Sequence, residues 1–271
     1  MNALGYYKLG GRRTKQVSGA VRMRLVFFGF AGGTVTALHS LAEAMPEWIE
    51  VWGAEYPGRG MRWRETPLNC ADTLLEDLQP GLCMLDEMPL LLLGYSMGAH
   101  VAYRLALQSK LHHLSGLIAL SARPPMYQFD QWDATSLNDN ELMARLEALG
   151  GMPKEVLSSE GILDNFLPVM RADLAVCADF KRFKVQVLPC EVFMLEGKSD
   201  RLLIDVQAQR WLEVAGGSPQ NSKHHAYPGG HFFHKGREAQ LAQDIASWAC
   251  ALSSQEPPVL HKPSSTSCMP V

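Results

Sequence analysis

Leu90-Leu91-Leu92-Leu93 carries no polar side chain and runs straight into Gly94-Tyr95-Ser96-Met97-Gly98. A strand of that composition is stable only when both of its faces are covered, as at the centre of a parallel sheet flanked by helices. Similar short apolar runs begin at Arg24, where Leu-Val-Phe-Phe ends on Gly29, and recur at Trp48–Ala54, Leu117–Leu120, Cys190–Leu195 and His225–Tyr227. Helical spacing of apolar residues separates them at Asn69–Glu87, Met97–Gln108, Val206–Val214 and Glu238–Leu252. Pro80 is expected to kink or divide the first of these helices. Strands alternating with helices pair in parallel through right-handed crossovers.

The alternation breaks between Arg123 and Phe183, where no strand pattern occurs. Asn138 followed by Glu141 reads as a capping box opening a helix through Leu142, Leu146 and Leu149, with Gly150 and Gly151 as its stop. A second helix is predicted over Ile162–Phe180. With 271 residues and 47% hydrophobic content, one domain with an insertion is the economical organisation. The boundaries read as a flexible extension over 1–22, a domain over 23–252 with a helical lid at about 123–183, and a flexible Ser- and Pro-rich tail over 253–271.

A net charge of -3 gives no electrostatic footprint for nucleic acid or an anionic membrane. No apolar stretch approaches the roughly 20 residues of a spanning helix. The first twenty residues lack the apolar core of a secretory signal, which points to the cytoplasm. Six cysteines, none in a C-x-x-C pair, read as reduced and mostly buried thiols rather than as disulfides or metal ligands.

Gly94 to Gly98 matches G-x-S-x-G with a strand before it and a helix after it, the context that lifts a serine hydroxyl clear of a sheet as a nucleophile. Ser96 then requires a base and an acid, in the chain order Ser, acid, His. Asp200 follows a strand at its C-terminal end, where active-site residues of open α/β sheets collect. Asp205 is the alternative acid, disfavoured because it falls in the next predicted helix. His231, in Pro228-Gly229-Gly230-His231-Phe232-Phe233, is the best base, ahead of His234, His224 and His225. Asp200 would accept a hydrogen bond from one ring nitrogen and aim the other at the serine. The Met97 amide and one amide from Gly29-Phe30-Ala31-Gly32-Gly33, that of Ala31 with Phe30 as alternative, would receive the oxyanion. These residues describe an acyl-transferring serine hydrolase of the α/β-hydrolase fold: a mostly parallel central sheet, helices on both faces and a helical lid.

The chain resembles the type II (external) thioesterases of nonribosomal peptide and polyketide synthesis. The segments that carry the resemblance are Gly29–Gly33, Tyr56-Pro57-Gly58-Arg59-Gly60, Gly94–Gly98 and Pro228–Phe233. Two lid segments join them, Ala148 to Leu157 and Leu167-Pro168-Val169-Met170-Arg171-Ala172-Asp173-Leu174. The family usually has proline where Gly29 stands and histidine where Tyr95 stands.

The resemblance implies Ser96, Asp200 and His231 as the triad. It implies hydrolysis of acyl groups from the phosphopantetheine arm of carrier proteins, with no cofactor of the enzyme's own. The partners would be acyl or peptidyl carrier domains, met by a monomer with no role for nucleic acid or membrane. Phe30, Tyr95, Met143, Met152 and Met170 are the expected substrate and lid residues, the methionines adapting to varied short acyl chains. Arg59, Arg62 and Arg64 are candidates to meet an acidic carrier, or form an ordinary solvated loop. The triad alone does not separate a thioesterase from an oxygen-ester hydrolase or lipase, or from a transacylase. A non-catalytic carrier-binding protein is the contrasting class.

Overall fold

A computed structural model describes residues 2–10, 20–127, 136–148, 160–218 and 220–253. Its eight strands are β1 (Asn2–Ala3), β2 (Tyr6–Leu9), β3 (Met23–Phe28), β4 (Ile49–Ala54), β5 (Leu90–Tyr95), β6 (Leu114–Leu120), β7 (Glu191–Gly197) and β8 (Lys223–Tyr227). They form one sheet in the order β1-β2-β4-β3-β5-β6-β7-β8. All neighbours from β4 to β8 pair in parallel, and β1 and β2 are antiparallel. The helices are α1 (His39–Ala44), α2 (Ala71–Met84), α3 (Met97–Gln108), α4 (Asp139–Ala148), α5 (Glu160–Asp179) and α6 (Glu238–Ser253).

Side-chain alternation along the strands feeds two cores. Val26, Leu90, Leu92, Leu117 and Met194 face α2, α3 and part of α5, while Leu25, Leu91, Leu93, Ile118 and Leu195 face α1 and α6. Covering both faces is what the leucine run of β5 demands. Chain order runs outward in one direction from β3 to β4 and in the other from β5 to β6. A crevice therefore opens above the C-terminal ends of β3 and β5, where open parallel sheets place their ligands. A smaller cluster of Leu142, Leu146, Met170 and Leu174 joins α4 and α5 and packs against Ala31 at that crevice.

The predicted capping box is present: Asn138 N–H donates to Glu141 Oε2 at 2.9 Å, and Glu141 N–H donates to Asn138 Oδ1 at 3.0 Å. Its predicted stop at Gly150 and Gly151 lies outside the described residues.

Four local readings differ from the structure. Pro80 does not divide α2, which runs from Ala71 to Met84 through it; Glu76 and Pro80 are both exposed, so the turn that loses its hydrogen bond lies on the solvent side of the helix. The predicted helix over 206–214 is a 3-10 segment, Ala208–Val214, with Asp205 in the turn before it. Of the cysteines, Cys177 and Cys190 are buried, but Cys83 and Cys250 are exposed. The expected mobility of residues 1–22 does not describe 2–9, which form a hairpin along β4. Leu4 and Gly5 have φ of 45° and 85°, the two positive angles of a two-residue hairpin turn, and Tyr6 is buried with its hydroxyl donating to Leu78 O at 3.0 Å.

Candidate active site

Ser96 occupies the turn between β5 and α3 at φ 53° and ψ -114°, a backbone state that L-residues avoid and that is tolerated where surrounding structure holds it. Its N–H donates to Leu120 O at 2.8 Å on the neighbouring strand. A side chain at Gly94 would lie 2.2 Å from the Cα of Ala99, and one at Gly98 2.1 Å from the carbonyl oxygen of Phe28. The two glycines thus let α3 start directly against the ends of β5 and β3. Met97 opens the helix, so its amide and the helix dipole both address the crevice.

His231 and Asp200 are both buried, and His231 Nδ1–H donates to Asp200 Oδ2 at 2.8 Å. Asp200 Oδ1 accepts the Leu202 amide at 2.9 Å, which fixes the carboxylate at the end of β7. The His231 carbonyl accepts two hydroxyls, Tyr95 Oη at 2.5 Å and Ser121 Oγ at 2.9 Å. These bonds anchor the glycine loop to the ends of β5 and β6. The ring of Tyr95, adjacent in sequence to Ser96, lies 5.8 Å from the imidazole of His231.

Burial, with the Asp200 charge adding to it, holds the Tyr95 hydroxyl well above its ordinary pKa, so it stays a donor. Its one proton goes to the carbonyl; His234 Nδ1, 2.9 Å away, is therefore the donor in its own bond to Tyr95. Burial, aided by the Lys235 charge, pulls the His234 pKa to about 4, consistent with a neutral ring.

After β3, Gly33 N–H donates to Phe30 O at 2.9 Å and Gly32 has φ of 74°, the pattern of a type II turn with glycine at its third position. Tyr56 Oη donates to Gly29 O at 3.1 Å. Gly32 N–H donates to Asp173 Oδ2 at 2.6 Å, from α5 of the lid. The same carboxylate receives Arg59 Nη1 at 2.5 Å and Nη2 at 2.7 Å, in a pair whose side chains are 5% and 1% exposed. Burial works against the Arg59 charge, but Asp173 outweighs it and raises the guanidinium pKa. Removing one partner of such a pair costs about 3–5 kcal/mol.

The family model for the thioesterase domain matches residues 23–249. The chain belongs to the thioesterase domain family. This thioesterase is 28% identical over 220 residues to the gramicidin S biosynthesis protein GrsT of Aneurinibacillus migulanus, covering 80% of this chain and 85% of that one. It is 30% identical to a probable cadicidin biosynthesis thioesterase of Streptomyces griseus, over 78% of this chain and 58% of that one. Among solved structures, the type II thioesterase BorB from the borrelidin biosynthetic cluster superposes with a TM-score of 0.77 at 27% identity, covering 90% of this chain and 97% of that one. The fold is the α/β-hydrolase fold.

Tyr95 and two of the three loop arginines of this thioesterase have a different setting from the one the sequence suggests. Tyr95 is wholly buried; it supports the base loop from below and does not line an open pocket. Phe30 packs edge-on against Tyr95 and Phe232 at centroid distances of 5.2 and 5.0 Å. Met143 and Met170 belong to the lid cluster with Phe166, and Met152 lies outside the described residues. Asp205 pairs with Arg123 at 2.8 Å, whereas the carboxylate bonded to His231 is that of Asp200. Arg59 is consumed by Asp173, and Arg62 by Asp77 and Glu65, so of the three arginines only Arg64 remains exposed, over the ring of Trp63. His224 bonds Glu196 at 2.7 Å, and the ring of His225 lies tilted against Tyr227 at a centroid distance of 4.4 Å.

Asp173 and Ser121 were not singled out from sequence. The only signal for Asp173 was a lone acidic residue in a lid segment that also carries Arg171, which does not by itself select Arg59 as its partner. None existed for Ser121, whose role depends on a positive φ of 45° that no motif announces.

Proposed function

We propose that this thioesterase hydrolyses acyl thioesters on the phosphopantetheine arm of carrier proteins, clearing misprimed or stalled units from nonribosomal peptide or polyketide assembly. What supports the reading is the strained Ser96 turn, whose neighbour Tyr95 donates to the carbonyl of His231 in the buried His231–Asp200 pair, in a chain of this family. Ser96 Oγ attacks the thioester carbonyl while His231 Nε2 takes its proton, and Asp200 steadies the imidazolium. The tetrahedral oxyanion is received by the amides of Met97 and Ala31. Its collapse expels the thiol, protonated by His231. His231 then deprotonates water, which attacks the acyl-Ser96 ester and releases the acid. Met143 and Met170 border the acyl group from the lid side.

The enzyme needs no cofactor of its own, because the pantetheine arm comes with the substrate. Among the described residues no helix is long and apolar enough to cross a membrane, and a cytoplasmic monomer serving synthase carrier domains is the setting we assign. The settings of its relatives, gramicidin S biosynthesis and the borrelidin cluster, support an assembly-line role.

The test is incubation with a panel of acyl-loaded carrier proteins and an intact-mass readout. Wild-type protein is expected to deacylate short-chain carriers, while Ser96→Ala keeps its thermal transition and loses turnover. A wild type that leaves every carrier loaded, or a Ser96→Ala that works at full rate, overturns the reading.

A further inference from the structure

The lid helix α5 does more than cover the crevice. Asp173 sends one carboxylate oxygen to two places at once, to Arg59 Nη1 on the loop after β4 and to Gly32 N–H in the turn after β3. The second oxygen takes Arg59 Nη2, so the carboxylate cannot rotate away from Gly32 without breaking a bidentate pair. Arg59 is itself laid over the ring of Tyr56 at 5.2 Å, and Tyr56 holds the other end of the same turn through Gly29 O. The lid also touches the turn directly. A side chain at Gly32 would lie 2.6 Å from Met170 Cε and 2.8 Å from Phe166, both on α5.

A type II turn differs from a type I turn by a flip of its central peptide, here the bond between Ala31 and Gly32. The Gly32 N–H is one end of that peptide. Fixing it on Asp173 fixes the plane of the peptide and, through Ala31, the direction of the amides that would meet an oxyanion.

We propose that Asp173 is a positioning residue for the oxyanion turn: held by Arg59, its carboxylate locks the Ala31–Gly32 peptide, so that the site is competent only with α5 seated. This rests on the reading of Ser96 and the Phe30–Gly33 turn given under the proposed function. Asp173 touches no reacting atom; it acts through Gly32.

The experiment uses full-length protein and two probes, acyl-pantetheine hydrolysis and Ser96 labelling by a fluorophosphonate, whose phosphoryl oxygen must enter the same donors whatever the natural acyl group. Misplacement of a donor by about 1 Å costs on the order of 100-fold in rate. Asp173→Ala is expected to lower kcat and the labelling rate constant about 10- to 100-fold, with KM and the reversible inhibitor constant within about threefold of wild type. Asp173→Asn, which keeps an oxygen for Gly32, is expected to recover at least part of both rates, and it replaces the alanine variant if that fails to fold. A purely structural role would reduce the fraction of protein labelled at completion while leaving the rate constant per labelled site unchanged; that result overturns the proposal, as does an effect confined to KM. A wild type that labels at Ser96 but clears no carrier sinks the carrier function and leaves the labelling comparison to decide Asp173. A wild type that does not label sinks both.

Discussion

At the scale of single residues, the acid can be distinguished from its neighbour by charge environment. Asp200 is buried and bonded to His231, whereas Asp205 is half exposed and spends its charge on Arg123. Asp200→Asn is expected to lower kcat by about 10⁴-fold, since the wrong tautomer then faces Ser96, with thermal stability little changed. Asp205→Asn should stay within about twofold, because a surface ion pair contributes about 1 kcal/mol at most; steady-state kinetics on one acyl-pantetheine checks both.

Two buried histidines give a pH signature. Burial pulls His100 and His234 to about 4, below the 6.5 of an unfolded chain. The unfolded state therefore takes up protons first, and stability falls as pH drops from about 6.5 to about 4. The loss is on the order of 3 kcal/mol per group at the low end. Urea midpoints at pH 7.5 and 5.0 should show a lower value at pH 5.0, and His234→Gln should flatten the dependence; equal midpoints for the wild type would contradict it. The strained Ser96 turn and the His231–Asp200 pair were legible in the sequence because glycines mark the two loops that carry Ser96 and His231 and because Asp200 follows the end of a strand. Tyr95 was read toward the substrate because alternation along β5 does not say which face a tyrosine hydroxyl will find a partner on.

At the scale of elements, patterns with a strict period were readable and interruptions were not. The leucines of β5, the capping box at Asn138 and the strand–turn–helix at Ser96 each follow from local rules. Pro80 was misjudged because the cost of a proline depends on which way the freed carbonyl faces, and that is set by tertiary placement of α2. The 3-10 geometry of Ala208–Val214 likewise reflects its packing, with Trp211 buried and its Nε1–H donating to Ala122 O at 2.9 Å. The partnership of α5 with the turn after β3 is a contact across 141 residues, beyond the reach of any local pattern.

At the scale of the whole molecule, the parallel sheet and its two cores followed from alternation of strands and helices, but the hairpin at the start of the chain did not. Leu4 is an unusual residue for a positive φ, so the turn carried none of the Asn-Gly or Gly-Gly signals that mark such hairpins. Deleting residues 1–10 removes the fully buried Tyr6 and bares one side of β4. We expect a loss of at least about 2 kcal/mol in chemical denaturation and concentration-dependent light scattering; a truncated protein as stable and monodisperse as the full chain would refute this.

With β4 stitched to its own N-terminal hairpin, the sheet's other margin is β8, whose outward Lys223 and His225 leave little welcome for a neighbouring strand. Protease nicking near Gly10 would then do more than shorten the polypeptide. It would unzip a built-in guard against fibril-like stacking, turning a clean cut at one corner into a colloidal problem for the entire preparation.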